Sequence, residues 1–178
     1  MKTRMKTRTA ALAAAIVFTA GVGAGVAASK HVARTAYHEL AATDASRNLL
    51  DMARLQAGNG SWERIAVGRV SYLGGDRTTG EAMFDAILGD DHEDSDELRI
   101  ARVYREAGEW AKAKPLFDGY VTRNPKDKTE IAEIGAYYLL QGDRTGAERL
   151  FDRSFAVKPE LWATVAAAGA YVGVAPQE

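Results

Sequence analysis

Cysteine is absent from all 178 residues, which excludes disulfides, thiolate metal sites, a thiol nucleophile and a lipid-modified N-terminal cysteine. Export stays open, since disulfides are permitted outside the cytosol but not required there. Histidine is nearly absent too, with His31, His38 and His92 alone available for imidazole chemistry. His31 and His38 could share a helix face, but no carboxylate pair at ligand spacing accompanies them, so no metal site is expected. The chain contains no G-x-S-x-G elbow, no Gly-Lys-Ser/Thr phosphate loop and no H-E-x-x-H; no catalytic residue and no cofactor are expected. Gly23, Gly25 and Ala28 loosely match a dinucleotide-binding loop, but nothing downstream alternates strands with helices, so that reading fails on context. Four prolines, 47% hydrophobic and 26% charged residues describe a folded chain of about one domain.

Acid is missing from the first 29 residues, which hold Lys2, Arg4, Lys6 and Arg8. The remainder carries 19 basic against 24 acidic residues, a balance that disfavours nucleic-acid binding. Ala10 to Ala28 contains no charge, so residues 1–29 are expected to be a signal peptide or a membrane anchor. Cleavage could follow Ala24, Ala28 or Ser29. An uncleaved span is the alternative, with Gly21 and Gly25 offering a helix-packing face. Either way the rest of the chain lies outside the cytoplasm, periplasmic or otherwise extracytoplasmic, and meets a membrane only through this segment.

Comparing the chain with itself uncovers a repeat. GDRTTGEAMFD at 75–85 and GDRTGAERLFD at 142–152 agree at seven of eleven positions, with GEWAKAKPLFD at 108–118 midway. The glycines at 75, 108 and 142 are spaced by 33 and 34. Such a period predicts an all-α fold in which two-helix units share a core that none could bury alone. Gly75, Gly108 and Gly142 suit helix ends, and Pro125 and Pro159 stop the second helix of a unit. Pro115 falls inside a second helix, at small cost if it lies in the first turn. Asp44 to Leu55 predicts a helix with Ala45, Leu49, Met52 and Ala53 on one face, broken by Gly58-Asn59-Gly60. The acidic run from Asp90 to Glu97 reads as a linker in which Asp94 or Ser95 caps the next helix; a calcium loop is the weaker alternative, lacking the glycine and ligand spacing.

The units resemble the tetratricopeptide repeat family. The second reads Ala101, Tyr104, Gly108-Glu109, Ala113, Phe117 and Pro125; the third reads Gly135, Tyr138, Gly142-Asp143, Ala147, Phe151 and Pro159. The first keeps Gly68, Gly75-Asp76 and Phe84, but has Ser71 for the aromatic, Gly80 for the alanine and His92 for the proline. The resemblance implies a short right-handed superhelical solenoid. Its organisation would be a leader at 1–29, a helical segment or degenerate repeat at 30–58, three repeats at 59–161 and a capping helix and tail at 162–178. Small residues at 68, 101 and 135 would meet those at 80, 113 and 147, with Phe84, Phe117 and Phe151 filling toward the next unit.

A concave groove is also implied, lined by Trp62, Ile65, Arg69 and Tyr72, by Leu98, Arg102 and Arg105, and by Ala132, Ala136 and Leu139. Ile65, Leu98 and Ala132 replace the polar residues of the carboxylate clamp found in chaperone-binding members. The expected role is a non-catalytic interaction module or adaptor in the bacterial cell envelope, with a protein or peptide partner. Accessory work in polysaccharide export or glycan binding, with Trp62 and Tyr72 stacking on sugars, is the alternative. A structural homo-oligomer formed through the apolar stretch from Leu161 to Gly173 is another.

Overall fold

A computed structural model describes residues 31–177. The leader, with its candidate cleavage sites and Gly21/Gly25 face, lies outside them. The described chain is all-helical: α1 (Ala42–Ala57), α2 (Ser61–Leu73), α3 (Arg77–Leu88), α4 (Asp94–Glu106), α5 (Trp110–Arg123), α6 (Lys128–Leu140), α7 (Arg144–Val157) and α8 (Leu161–Tyr171), preceded by a single 3-10 turn at Arg34–Ala36. None of these helices is long and apolar enough to cross a membrane.

Three helix pairs, α2/α3, α4/α5 and α6/α7, each close through a three-residue turn, and the turns are chemically alike. Gly75, Gly108 and Gly142 adopt φ of 105°, 76° and 86°, where a Cβ would be strained. The next residue then donates its N–H five residues back, Asp76 to Ser71 O at 2.9 Å, Glu109 to Tyr104 O at 2.8 Å and Asp143 to Tyr138 O at 3.0 Å. The Gly-Asp signature also starts the second helix. Asp76 accepts from Thr79 N–H at 3.2 Å and Asp143 from Gly146 N–H at 2.8 Å, occupying orphan donors of the first turn.

Within each pair the small residues allow close approach. A Cβ on Gly80 would lie 2.7 Å from Tyr72 Cβ and 2.8 Å from both Gly68 O and Tyr72 N. A Cβ on Gly68 would lie 2.7 Å from the Phe84 ring, and one on Gly135 would lie 2.8 Å from Phe151. Ala101, Ala113 and Ala147 are fully buried in the other pairs. The aromatics then bridge to the next unit: Phe84 meets Tyr104 at 5.7 Å between ring centroids, Phe117 meets Tyr137 at 5.4 Å and Phe151 meets Tyr171 at 6.1 Å. Each such buried ring contributes about 1.5–3 kcal/mol.

Several expectations are corrected. Ser71 occupies the aromatic slot but is buried, and the adjacent Tyr72 supplies the ring, 5.7 Å from Phe84 and 5.6 Å from Tyr104. Pro115 is the sixth residue of α5, beyond the first turn. Pro115 and Ala111 are both exposed, so water can satisfy the carbonyl that the proline leaves without a donor. In α1, Leu49 is exposed while Leu50, Met52 and Ala53 are half-buried, which turns the packed face by one position. The cap of α4 is Glu93 rather than Asp94 or Ser95, and Asp96 accepts the Glu93 N–H at 3.3 Å. Asp94 instead binds Asn124 Nδ2 at 2.9 Å and Arg123 Nε at 2.5 Å, joining the start of α4 to the end of α5.

Gly80→Ala should therefore cost about 1–3 kcal/mol, because backbone atoms on α2 have no room to yield. Gly119→Ala places its Cβ 3.1 Å from Arg123 Nη1, a side-chain end held by Asp94 and Glu97 on the surface, and should cost under about 1 kcal/mol because the neighbour is side chain rather than backbone. Urea unfolding of both variants checks the contrast; equal effects would contradict the close-approach account.

Candidate functional site

The first helices of the three pairs, α2, α4 and α6, carry the residues assigned to the groove. Ile65, Tyr72 and Leu98 are buried, as are Ala132 and Ala136. These five are packing residues and offer a ligand no surface. Leu139 is half-buried. Trp62 remains exposed, with the Arg99 guanidinium 3.4 Å from its ring centroid, a cation–π contact between α2 and α4.

The groove arginines are engaged across helices. Arg69 Nε donates to Glu106 Oε2 at 2.7 Å, and its Nη2 also reaches Glu106 Oε1. Arg102 forms a fork on Glu133, Nε to Oε1 at 2.6 Å and Nη2 to Oε2 at 2.7 Å, and Tyr137 O–H donates to the same Oε1 at 2.7 Å. Arg105 places its guanidinium 4.3 Å from the centroid of the Tyr137 ring. Exposure separates the two ion pairs. At 46% and 33% side-chain exposure, Arg69 and Glu106 form a pair that solvent screens and an incoming carboxylate could exchange. At 19% and 12%, Arg102 and Glu133 are a structural tie whose breaking leaves a charge half out of water.

A second network lies where the first pair's turn meets α5. Tyr72 O–H donates to Glu109 Oε2 at 2.5 Å, and Lys112 Nζ contacts both Glu81 oxygens at 2.7 Å and Tyr72 Oη at 3.2 Å. Burial first, then the Glu109 contact, raise the Tyr72 hydroxyl above its ordinary range. The Glu81 carboxylate is the main cause that raises Lys112. A lysine held protonated in this way is the opposite of an activated nucleophile.

At the start of α6, burial and a hydrogen bond with Asp127 lift the Glu130 carboxyl to about 7. Tyr120 O–H donates to the same Asp127 at 2.5 Å. No group of three or more acidic or histidine side chains placed to hold a metal occurs among the described residues. In the acidic run, His92 bridges Asp90 O at 2.9 Å and Glu97 Oε1 at 3.0 Å, contacts that raise its pKa.

Arg99, Glu106 and Glu133 were not among the residues read from the sequence. Glu106 and Glu133 answer a charge of opposite sign on a neighbouring unit, and Arg99 answers the Trp62 ring. Spacing rules within one helix do not reveal such pairs, because they depend on how the units are laid against one another. Compared with known proteins, the chain matches no protein-family model, and no curated protein or solved structure is significantly similar to it.

Arg102→Ala should destabilise by about 2–4 kcal/mol by stranding Glu133, whereas Arg69→Ala should cost under about 1 kcal/mol; chemical denaturation distinguishes them, and equal losses would contradict the exposure argument. The folded chain holds the Glu130 proton up to about 7, while an ordinary glutamate releases it near 4.5. The folded state thus binds more protons inside that window, and stability should fall as pH rises through it. Glu130→Gln should flatten this slope in unfolding midpoints measured from pH 4.5 to 8; an unchanged slope would place its origin elsewhere.

Proposed function

We propose that the described region is a short right-handed solenoid of three tetratricopeptide-like repeats, serving as a non-catalytic protein-binding module of an exported or membrane-anchored bacterial envelope protein. The repeat of one turn chemistry at 75, 108 and 142 carries the solenoid reading, because identical turns between similar pairs build a regular stack. The uncharged stretch from Ala10 to Ala28 behind four cations supports export or anchoring.

The binding face we assign is narrower than the full groove. It centres on the exposed Trp62–Arg99 pair and the neighbouring exchangeable Arg69–Glu106 pair. An amphipathic aromatic ring beside arginine suits an extended peptide that presents an acidic residue near an apolar one. Burial of Tyr72 leaves Trp62 as the sole survivor of the two rings considered for sugar stacking, and Arg99 covers one of its faces. Protein recognition is therefore the better-supported use.

The test is affinity capture from native envelope extract by the full chain, beside a Trp62→Ala/Arg69→Ala variant whose thermal unfolding is checked against the parent. A protein retained by the parent and lost from an equally folded variant is the expected result. Equal retention by both would refute this face, and no retained protein would refute the module reading.

A further inference from the structure

We infer that two copies of the chain associate end to end through α8, two-fold related, with the N-terminal ends pointing away. The inference rests on the repeat reading above for the register of α8. The contact itself rests on exposure and charge.

Helix α8 stands in the register of a first helix. It packs against α6 through Ala163, Ala167 and Ala170. It then ends in the same turn as α2, α4 and α6: Gly173 has φ 80°, and Val174 N–H donates to Gly169 O at 2.9 Å. No second helix follows among the described residues. Val165 continues the register of Ile65, Leu98 and Ala132 at spacings of 33, 34 and 33. Those three are 4%, 3% and 0% exposed, whereas Val165 is 51% exposed. The difference is the missing neighbour, since Arg69, Arg102 and Arg105 show first helices reaching the first helix of the following unit.

The open face is also chemically unlike a solvated end. Leu161 is 65% exposed where the other first helices of the pairs begin with Ser61, Asp94 and Lys128, and Trp162, 66% exposed, holds the slot of the exposed Trp62 but has no arginine over its ring like Arg99 over Trp62 among the contacts described. Val172, one turn beyond Ala168 on the same stripe, is 77% exposed. With Val174 these residues form a contiguous exposed apolar stripe rather than scattered single side chains, the kind of surface that marks a protein contact. Between Trp162, Val165, Gly169, Glu133 and Pro176 lies a groove of about 570 Å³ that a partner side chain can enter.

A second copy of α8 fits this face better than the opposite end of the molecule. No acidic or basic side chain occurs from Leu161 to Tyr171, so apposed α8 helices bring no like charges together, and Glu133 at the edge of the groove is already tied to Arg102. At the other end α1 already covers α2, and its surface carries the ion pairs Arg47–Asp44 at 3.0 Å and Arg54–Asp51 at 2.6 Å. Pressing α8 onto α1 would desolvate those charges against apolar side chains. Because a two-fold contact uses the same face on both copies, it closes on itself and association stops at two.

The experiment is sedimentation velocity on the full chain through the micromolar range, with V165E and V165K variants alone and mixed. Val165 lies near the middle of α8 and would meet its own counterpart about the two-fold axis. The parent should dimerise, each variant alone should associate at least about tenfold more weakly, and the mixture should regain association. Circular dichroism should be unchanged, because residue 165 is exposed. A parent that stays monomeric, a variant that associates like the parent, or a mixture that regains nothing would each overturn the proposal. Partner capture at Trp62 and Arg69 is read on another helix, so its success or failure is independent of these outcomes.

Discussion

Two helices can lie at backbone distance only where neither carries a bulky side chain at the crossing, and this constraint organises the molecule. At Gly80 the approach is close enough that one added methyl would strike the Gly68 carbonyl oxygen and the Tyr72 amide nitrogen, and at Gly68 one would strike the Phe84 ring. Alanines or a glycine stand at the same place in the other two pairs. Close approach at that point pushes the phenylalanine four residues on toward the far side of the pair, where it meets the next unit's tyrosine. The spacing between units is thus set by rings, and the spacing within them by the absence of side chains.

Polar chemistry is layered on this frame. Bringing α2, α4 and α6 into sequence sets arginines of one unit opposite glutamates of the next, and the resulting ties grade from exchangeable to fixed with depth. Tyr72, Glu109, Lys112 and Glu81 form a comparable tie near the turns. In this tie the shifts favour the charged lysine and the protonated tyrosine. The surface left over is small and specific: Trp62 with Arg99 at one end, and the apolar stripe of α8 at the other.

The two ends differ for a physical reason. In the solenoid proposed above, a row of two-helix units exposes an apolar face at each end unless something amphipathic covers it. Helix α1 covers the first, its inner side half-buried and its outer side paired in charge. The second is left with leucine, tryptophan and valine where solvent would favour charge.

The amino-acid sequence by itself determined the helices, the 33- and 34-residue period, the turn glycines, the small-residue slots and the aromatics that bridge units, because these follow from local conformation and from a pattern repeated three times. It offered Trp62 either as a groove residue or as packing against the N-terminal helix, and the structure leaves that ring exposed. Tertiary structure decided what a single chain read linearly cannot encode: that Tyr72 rather than Ser71 fills the core, that Ile65 and Leu98 are buried by the neighbouring unit, and that Arg69 and Arg102 meet acids 37 and 31 residues away. Those outcomes depend on the angle and distance between stacked units. Such quantities are set by the summed packing of many side chains, so no single residue announces them.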